Sequence, residues 1–216
     1  MGVIGEQIAF FKNRLPAGVK LAAVSKFKPV EAIMEAYEAG QRVFAENRPL
    51  EFQDKAQRLP SDIEWHFIGH LQTNKVKNVV PYASLIQSID SEHLLRAVND
   101  QAAKIGKVQD ILFEVFVASE TTKQGLSRDE AVELASRIAE FPNVRLRGVM
   151  AMATFTDDME QVRREFETAA AIAAEVASVA GIEKPEISMG MTGDYEVAVA
   201  CGSTMVRIGT AIFGAR

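Results

Sequence analysis

The sequence is poor in the residues that would build a disulfide scaffold, a metal centre, a membrane span or a polyelectrolyte surface. A single cysteine, Cys201, occurs in 216 residues, so no disulfide can form within the chain and a reducing, cytoplasmic setting is expected. Cys201 lies in the apolar run YEVAVACG, where nothing lowers a thiol pKa and a small buried hydrophobe is expected. His66 and His70 share one strand face with Ile68, but no third ligand follows at a useful spacing, and no metal is expected. His66 is expected to pack under a helix and His70 to hydrogen-bond at a strand end. The net charge of -5, with 48% hydrophobic and 25% charged residues, gives no reason for a nucleic acid or an anionic membrane as partner. The N-terminal MGVIGEQIAFFKNRLPAG lacks a basic start followed by an unbroken apolar stretch, and reads as a short amphipathic helix, not a secretory signal. The apolar segment Ala169 to Ala180 is broken by Glu175 and is too short to span a membrane. With no linker, low-complexity tract or repeat, residues 1–216 are expected to form a single domain.

What is present is an alternation. Short β-branched or apolar runs recur, each followed by a helical pattern: VKLAAVSKF, RVFAEN, EWHFIGH, SLIQSID, QDILFEVFVA, VRLRGVMAMA, PEISMGM and TMVRIGTAIFG. Ser91 and Ser127 are expected N-caps, Glu130 completes a capping box with Ser127, and Gly40, Gly106 and Gly181 stand where helices stop. Regular alternation predicts a parallel sheet with helical crossovers, open or closed, and eight units favour closure into a (β/α)8 TIM barrel with an extra N-terminal helix.

The period of two in the first run puts Ala22, Val24 and Lys26 on one face, so Lys26 stands at the C-terminal mouth where barrel active sites lie. In the last run Met205, Arg207 and Gly209 share a face, and closure makes the two strands neighbours. Two cations at one mouth lower the lysine's pKa and favour an anionic ligand between them, unless Arg207 is neutralised by a carboxylate such as Glu46 or Asp194. The turns SMGMTGDYE and IGTAIFG follow the last two strands, where barrels hold phosphate on backbone N–H groups, with Ser188 and Thr210 able to add hydroxyls. A carbonyl-bearing phosphate beside an activated lysine admits a pyridoxal phosphate Schiff base or a Schiff-base aldolase acting on a sugar phosphate.

The segments AVSKFKP, FAEN, WHFIGHLQTNK and SMGMTGDYEVAVACGSTMVRIGTAIFG together resemble the pyridoxal phosphate homeostasis protein family, whose barrel is similar to the N-terminal domain of alanine racemase (fold type III of the pyridoxal phosphate proteins). The resemblance spans Leu21 to Gly214. It implies that Lys26 carries pyridoxal 5'-phosphate as an internal aldimine, that Arg207 faces the pyridine nitrogen, that Ser188, Gly209 and Thr210 hold the phosphate, and that Asn47 lies near the ring's substituents. The chain departs from the family pattern at FAEN, at Arg48-Pro49 and at AMATFTDD.

Racemases of similar barrel type bring a tyrosine as second acid/base from a separate domain. Here the chain stops at Arg216, and Tyr37, Tyr82 and Tyr195 are expected to serve packing or the surface. Loss of such a base costs typically about 100- to 10,000-fold in rate. The expectation is therefore a carrier in vitamin B6 homeostasis without robust catalysis; the alternative is a pyridoxal phosphate-dependent amino-acid racemase. The resemblance further implies a monomer in exchange with a dimer, and pyridoxal phosphate-dependent apoenzymes as recipients. A polar basic turn at Leu71 to Lys77 is a further candidate contact for a protein partner.

Overall fold

A computed structural model describes residues 2–118 and 124–215. Eight parallel strands close in sequence order into a barrel. They are β1 (Lys20–Val24), β2 (Val43–Glu46), β3 (Glu64–Phe67), β4 (Leu85–Ile89), β5 (Gln109–Val115), β6 (Val144–Ala151), β7 (Glu186–Ser188) and β8 (Met205–Ile208). The helices follow the alternation: α1 (Val3–Arg14) precedes the barrel, and α2 (Val30–Glu38), α3 (Pro49–Arg58), α4 (Val76–Val79), α5 (Glu92–Lys104), α6 (Arg128–Ser136), α7 (Met159–Ala180), α8 (Tyr195–Ala200) and α9 (Thr210–Phe213) each succeed a strand. Closure is made by β1 against β8, with Ala22 opposite Arg207 and Ala23 opposite Ile208. The open-sheet alternative is thereby excluded. Among the described residues no helix is long and apolar enough to cross a membrane.

The strands sort their side chains by parity. Ala22, Val24, Ala45, Leu85, Leu112, Met150 and Met205 pack together inside the barrel, while Leu21, Ala23, Phe44, Trp65, Phe67, Val206 and Ile208 join the larger layer between barrel and helices. This places Arg207 inside, as the period of two requires. It also corrects the position expected for His66: Trp65 and Phe67 occupy the outer face, so His66 points into the barrel and meets Gln87.

Helix termini follow their local chemistry. Ser91 Oγ accepts from Leu94 N–H, Ser127 and Glu130 form the reciprocal capping box, and Gly181 ends α7 with φ +68°. Two segments are shorter than their sequence runs. β1 ends at Val24; the Ser25 N–H still bonds to the Ala45 carbonyl on β2, and the chain then turns, with Phe27 at φ +64°. IGTAIFG is no simple turn after Ile208; its Thr210–Phe213 portion winds into α9.

Gly148 marks an irregularity in β6, where the pairing with β5 passes from Ile111–Leu146 to Leu112–Gly148 and skips Arg147. Its φ is +150°, and a Cβ there would overlap the Glu186 carbonyl oxygen on β7. Both backbone conformation and space exclude a side chain. Gly148→Ala is expected to lower the free energy of unfolding by on the order of 2–4 kcal/mol, read from urea denaturation; an unchanged midpoint would show that β6 and β7 can separate at this point without loss.

Candidate functional site

A cavity of ≈ 400 Å³ opens at the C-terminal end of the barrel, with Lys26, Asn47, Arg207, Gly209 and Thr210 on its wall. Five of the six residues singled out from the sequence therefore meet in one place. Lys26 follows β1, Asn47 follows β2, Arg207 is the penultimate residue of β8, and Gly209–Thr210 lead into α9. The first N–H groups of a helix have no partner in the helix itself, so this last turn presents donors. The opposite wall comes from Met152 to Asp157 after β6 and from Met191 to Asp194 after β7. Gly190 lets the latter loop fold back: its φ is +98°, and a Cβ there would stand 2.6 Å from Ala198 Cβ and 3.0 Å from Tyr195 Cα.

Ser188, the sixth residue, is placed differently. It is fully buried, and its hydroxyl donates to Gln87 Oε1 at 2.6 Å and accepts from Arg207 Nη1 at 2.7 Å. Arg207 Nη1 also donates to the Ser188 carbonyl at 2.7 Å, and Nη2 to the Ala151 carbonyl at 3.0 Å. Gln87 Nε2 meets His66 Nδ1 at 3.0 Å. A polar layer inside the barrel thus holds the guanidinium from beneath. Neither carboxylate considered as its neutraliser pairs with it directly: Glu46 is bound by Lys55, and Asp194 accepts from the Met191 N–H. Of the five N–H donors of an arginine, three are committed here.

Burial sets the protonation states around this layer. It lowers the Arg207 guanidinium to about 10, against the pull of Asp194 and Glu114, so the group is still charged at neutral pH. It lowers His66 to about 3, with Lys20 adding to the effect. A neutral His66 accepts from Gln87 Nε2 on Nδ1 and carries its proton on Nε2. Glu114, inside β5, is raised to about 7 by burial and then by Asp90, with Arg207, His70 and Gln124 acting the other way. Asp194 is raised by burial, opposed by the Met191 N–H and Arg207. Burial likewise raises the half-buried Cys201 thiol, in keeping with a packing role.

Asn47 Oδ1 is buried on the cavity wall and finds no partner among the described residues. A donor on a molecule held in the cavity would satisfy it. None of the tyrosines reaches the cavity: Tyr37 donates to Asp62, Tyr82 accepts from Gln57, and Tyr195 packs its ring on Phe11 and donates to Glu196. His70 binds Asp90 at the rim, as expected for a residue at the end of its strand run. A second depression of ≈ 460 Å³ lies beside the mouth between Arg48, Leu50, His70 and Lys75; it contains none of the six residues. Gln87 and Glu114 were missed in the sequence, although each interrupts an apolar strand at an inward-facing position, LIQSI and ILFEV.

The family profile described as alanine racemase, N-terminal domain, matches residues 3–216. A pyridoxal phosphate homeostasis protein of Vibrio alginolyticus is 42% identical over 212 residues, covering 94% of this chain and 89% of that one. Another, of Aquifex aeolicus, is 41% identical, with 91% and 87% covered. Among solved structures, PipY of Synechococcus elongatus with PLP bound has a TM-score of 0.88 at 34% identity, over 98% of this chain and 100% of that one. An alanine racemase of Clostridium difficile shares the fold at a TM-score of 0.81 and 15% identity, with 56% of its length matched.

The buried titrating groups give opposite pH dependences. Glu114 is raised from its ordinary 4.5 to about 7, so its contribution to stability is complete below pH 4.5 and is lost as the pH rises through 7. His66 is lowered from 6.5 to about 3, so its contribution is complete above pH 6.5 and is lost as the pH falls toward 3. Glu114→Gln is therefore expected to stabilise the ligand-free protein at pH 8, by on the order of 3 kcal/mol or several degrees in Tm, with no gain below pH 4.5. A difference in Tm between variant and wild type that stays flat from about pH 4 to 8 would refute the assignment.

Proposed function

The chain belongs to the alanine racemase N-terminal domain family, among the pyridoxal phosphate homeostasis proteins, and from that premise we propose that it binds pyridoxal 5'-phosphate through Lys26 and acts as a carrier of that cofactor in the cytoplasm. The observation that carries this reading is the meeting of Lys26, two residues past β1, and Arg207, on β8, on one cavity with the Asn47 acceptor, unpaired among the described residues, and the Gly209–Thr210 turn. Bound in an enzyme, this cofactor supplies an aldehyde for covalent attachment and a ring that takes up electrons.

The residues fit that group and divide its parts among them. Lys26 would hold the group through its Nζ, for which the cofactor's aldehyde would supply the attachment chemistry. Gly209 and Thr210 hold the phosphate on the N–H groups that open α9 and on the Thr210 hydroxyl. Arg207 offers donors alone, so beside a ring nitrogen it would disfavour protonation there and weaken the ring as an electron acceptor. Ser188 serves the site from below: with its hydroxyl committed to Gln87 and Arg207, it fixes the guanidinium. Asn47 Oδ1 would accept from a donor among the ring's substituents.

The same arrangement favours holding over turnover. No tyrosine stands on the cavity among the described residues, so proton exchange on a bound amino acid lacks the second acid/base that two-base racemases use. The protein would keep a reactive aldehyde masked and release it to pyridoxal phosphate-dependent apoenzymes, as a monomer able to exchange with a dimer.

Mixing the protein with pyridoxal phosphate is expected to produce a visible absorption band of the covalent adduct. Borohydride reduction and peptide mass mapping should place the adduct on Lys26, and Lys26→Ala should show neither band nor adduct. Absence of both from the wild type would sink the cofactor assignment and bring sugar phosphates forward as test ligands. Incubation of the loaded protein with L-alanine should leave the enantiomer composition unchanged on the timescale of a two-base racemase, from which a rate lower by about 100- to 10,000-fold is expected; robust racemisation would refute the carrier reading.

A further inference from the structure

Lys26 stands between two residues that are each tied to a buried ion cluster. Lys55 on α3 is 4% exposed. The three N–H donors of its ammonium are all engaged: by the Ser25 carbonyl at 2.8 Å, by Glu46 Oε1 at 2.8 Å and by Glu51 Oε1 at 2.7 Å. The two carboxylates reach back to the same turn. Glu46 Oε1 accepts from the Ser25 hydroxyl at 2.6 Å, and Glu51 Oε1 accepts from the Phe27 backbone N–H at 2.6 Å. The residue before Lys26 is thus held at its carbonyl and its side chain, and the residue after it at its amide.

Stability is a poor explanation for this cluster. A buried lysine with two glutamates loses so much hydration that apolar side chains of similar shape serve a fold as well or better. Phe27 supplies a second observation. Its φ of +64° is rare for an aromatic residue and persists where the surroundings over-determine it. Here those surroundings are the Glu51 hydrogen bond and the Arg48 guanidinium, 4.3 Å from the centre of the Phe27 ring. The left-handed residue directly follows Lys26, which stands on the cavity wall.

We propose that Lys55, through Glu46 and Glu51, is a positioning residue that brackets Lys26 and fixes the turn from which its amine meets an aldehyde in the cavity. This rests on the reading of Lys26 as the attachment point. The bracket governs the reach of the amine and leaves the grip on ring and phosphate to other residues, so covalent attachment and reversible binding should respond differently when it is cut.

Glu51→Ala removes the acceptor for the Phe27 N–H, and at 22% side-chain exposure Glu51 is the least buried member of the cluster. Two ligands separate the steps: pyridoxal phosphate, which attaches, and pyridoxine 5'-phosphate, which carries an alcohol in place of the aldehyde and binds only reversibly. In Glu51→Ala the rate of adduct formation on Lys26 is expected to fall on the order of 10-fold while affinity for pyridoxine phosphate stays within about 2-fold of wild type, and Glu51→Gln, which keeps an acceptor, should recover most of the rate. Ser25→Ala cuts the other arm of the bracket, the hydroxyl bonded to Glu46, without touching a charge; it carries the same expectation and replaces Glu51→Ala should circular dichroism show that variant unfolded. An unchanged attachment rate, or a parallel loss of both ligands, overturns the bracket. Failure of the underlying reading is distinguishable, because the wild type itself would then form no adduct on Lys26.

Discussion

The buried guanidinium of Arg207 is the constraint around which the mouth of this barrel is organised. At 4% exposure it is a full charge taken out of water, a placement that is tolerable where its donors are satisfied. The protein engages three of them with two backbone carbonyls and the Ser188 hydroxyl; that hydroxyl donates to Gln87, whose amide nitrogen meets His66. No carboxylate pairs with it directly among the described residues; Glu114 and Asp194 act at longer range. The positive charge is therefore left uncompensated toward the cavity, where an anionic ligand completes the arrangement.

The two packing layers divide the labour of fold and site. Large aromatics, Phe44, Phe52, Trp65 and Phe67, fill the space between strands and helices, with ring pairs 5.7–6.0 Å apart. Inside the barrel Ala22 and Ala45 stand among longer side chains. The cavity begins above this packed layer, at Val24, Lys26 and Asn47. The outer layer keeps the strands rigid enough for side chains from β1, β2 and β8 to converge on one ligand.

Much of this was legible in the chain because strand periodicity is a local property. The parity of Ala22, Val24 and Lys26 and of Met205, Arg207 and Gly209 could be counted without knowing the fold, and closure of eight units then brought the two rows together. Ser188 was harder to read. Its place in a glycine-bearing segment suggested a phosphate contact, whereas its inward parity on β7 commits it to Arg207. His66 was assigned to the wrong layer because its neighbours Trp65 and Phe67 had to be recognised as outward first. The bracket of Glu46, Glu51 and Lys55 was invisible for a different reason: an i,i+4 pair on a helix looks like surface chemistry until α3 is laid against β2.

Trp65 is the sole tryptophan in the chain, and at 3% exposure it lies in the barrel wall against Phe44 and Phe52. It precedes the mouth by only a few residues of β3, and β3 pairs with the strand that leads into Asn47. The molecule therefore contains one indole fluorophore, separately excitable from its three tyrosines, in a buried environment close to its cavity. A bound chromophore absorbing in the near ultraviolet would quench that emission by energy transfer, so occupancy of the barrel can be followed by light without any label.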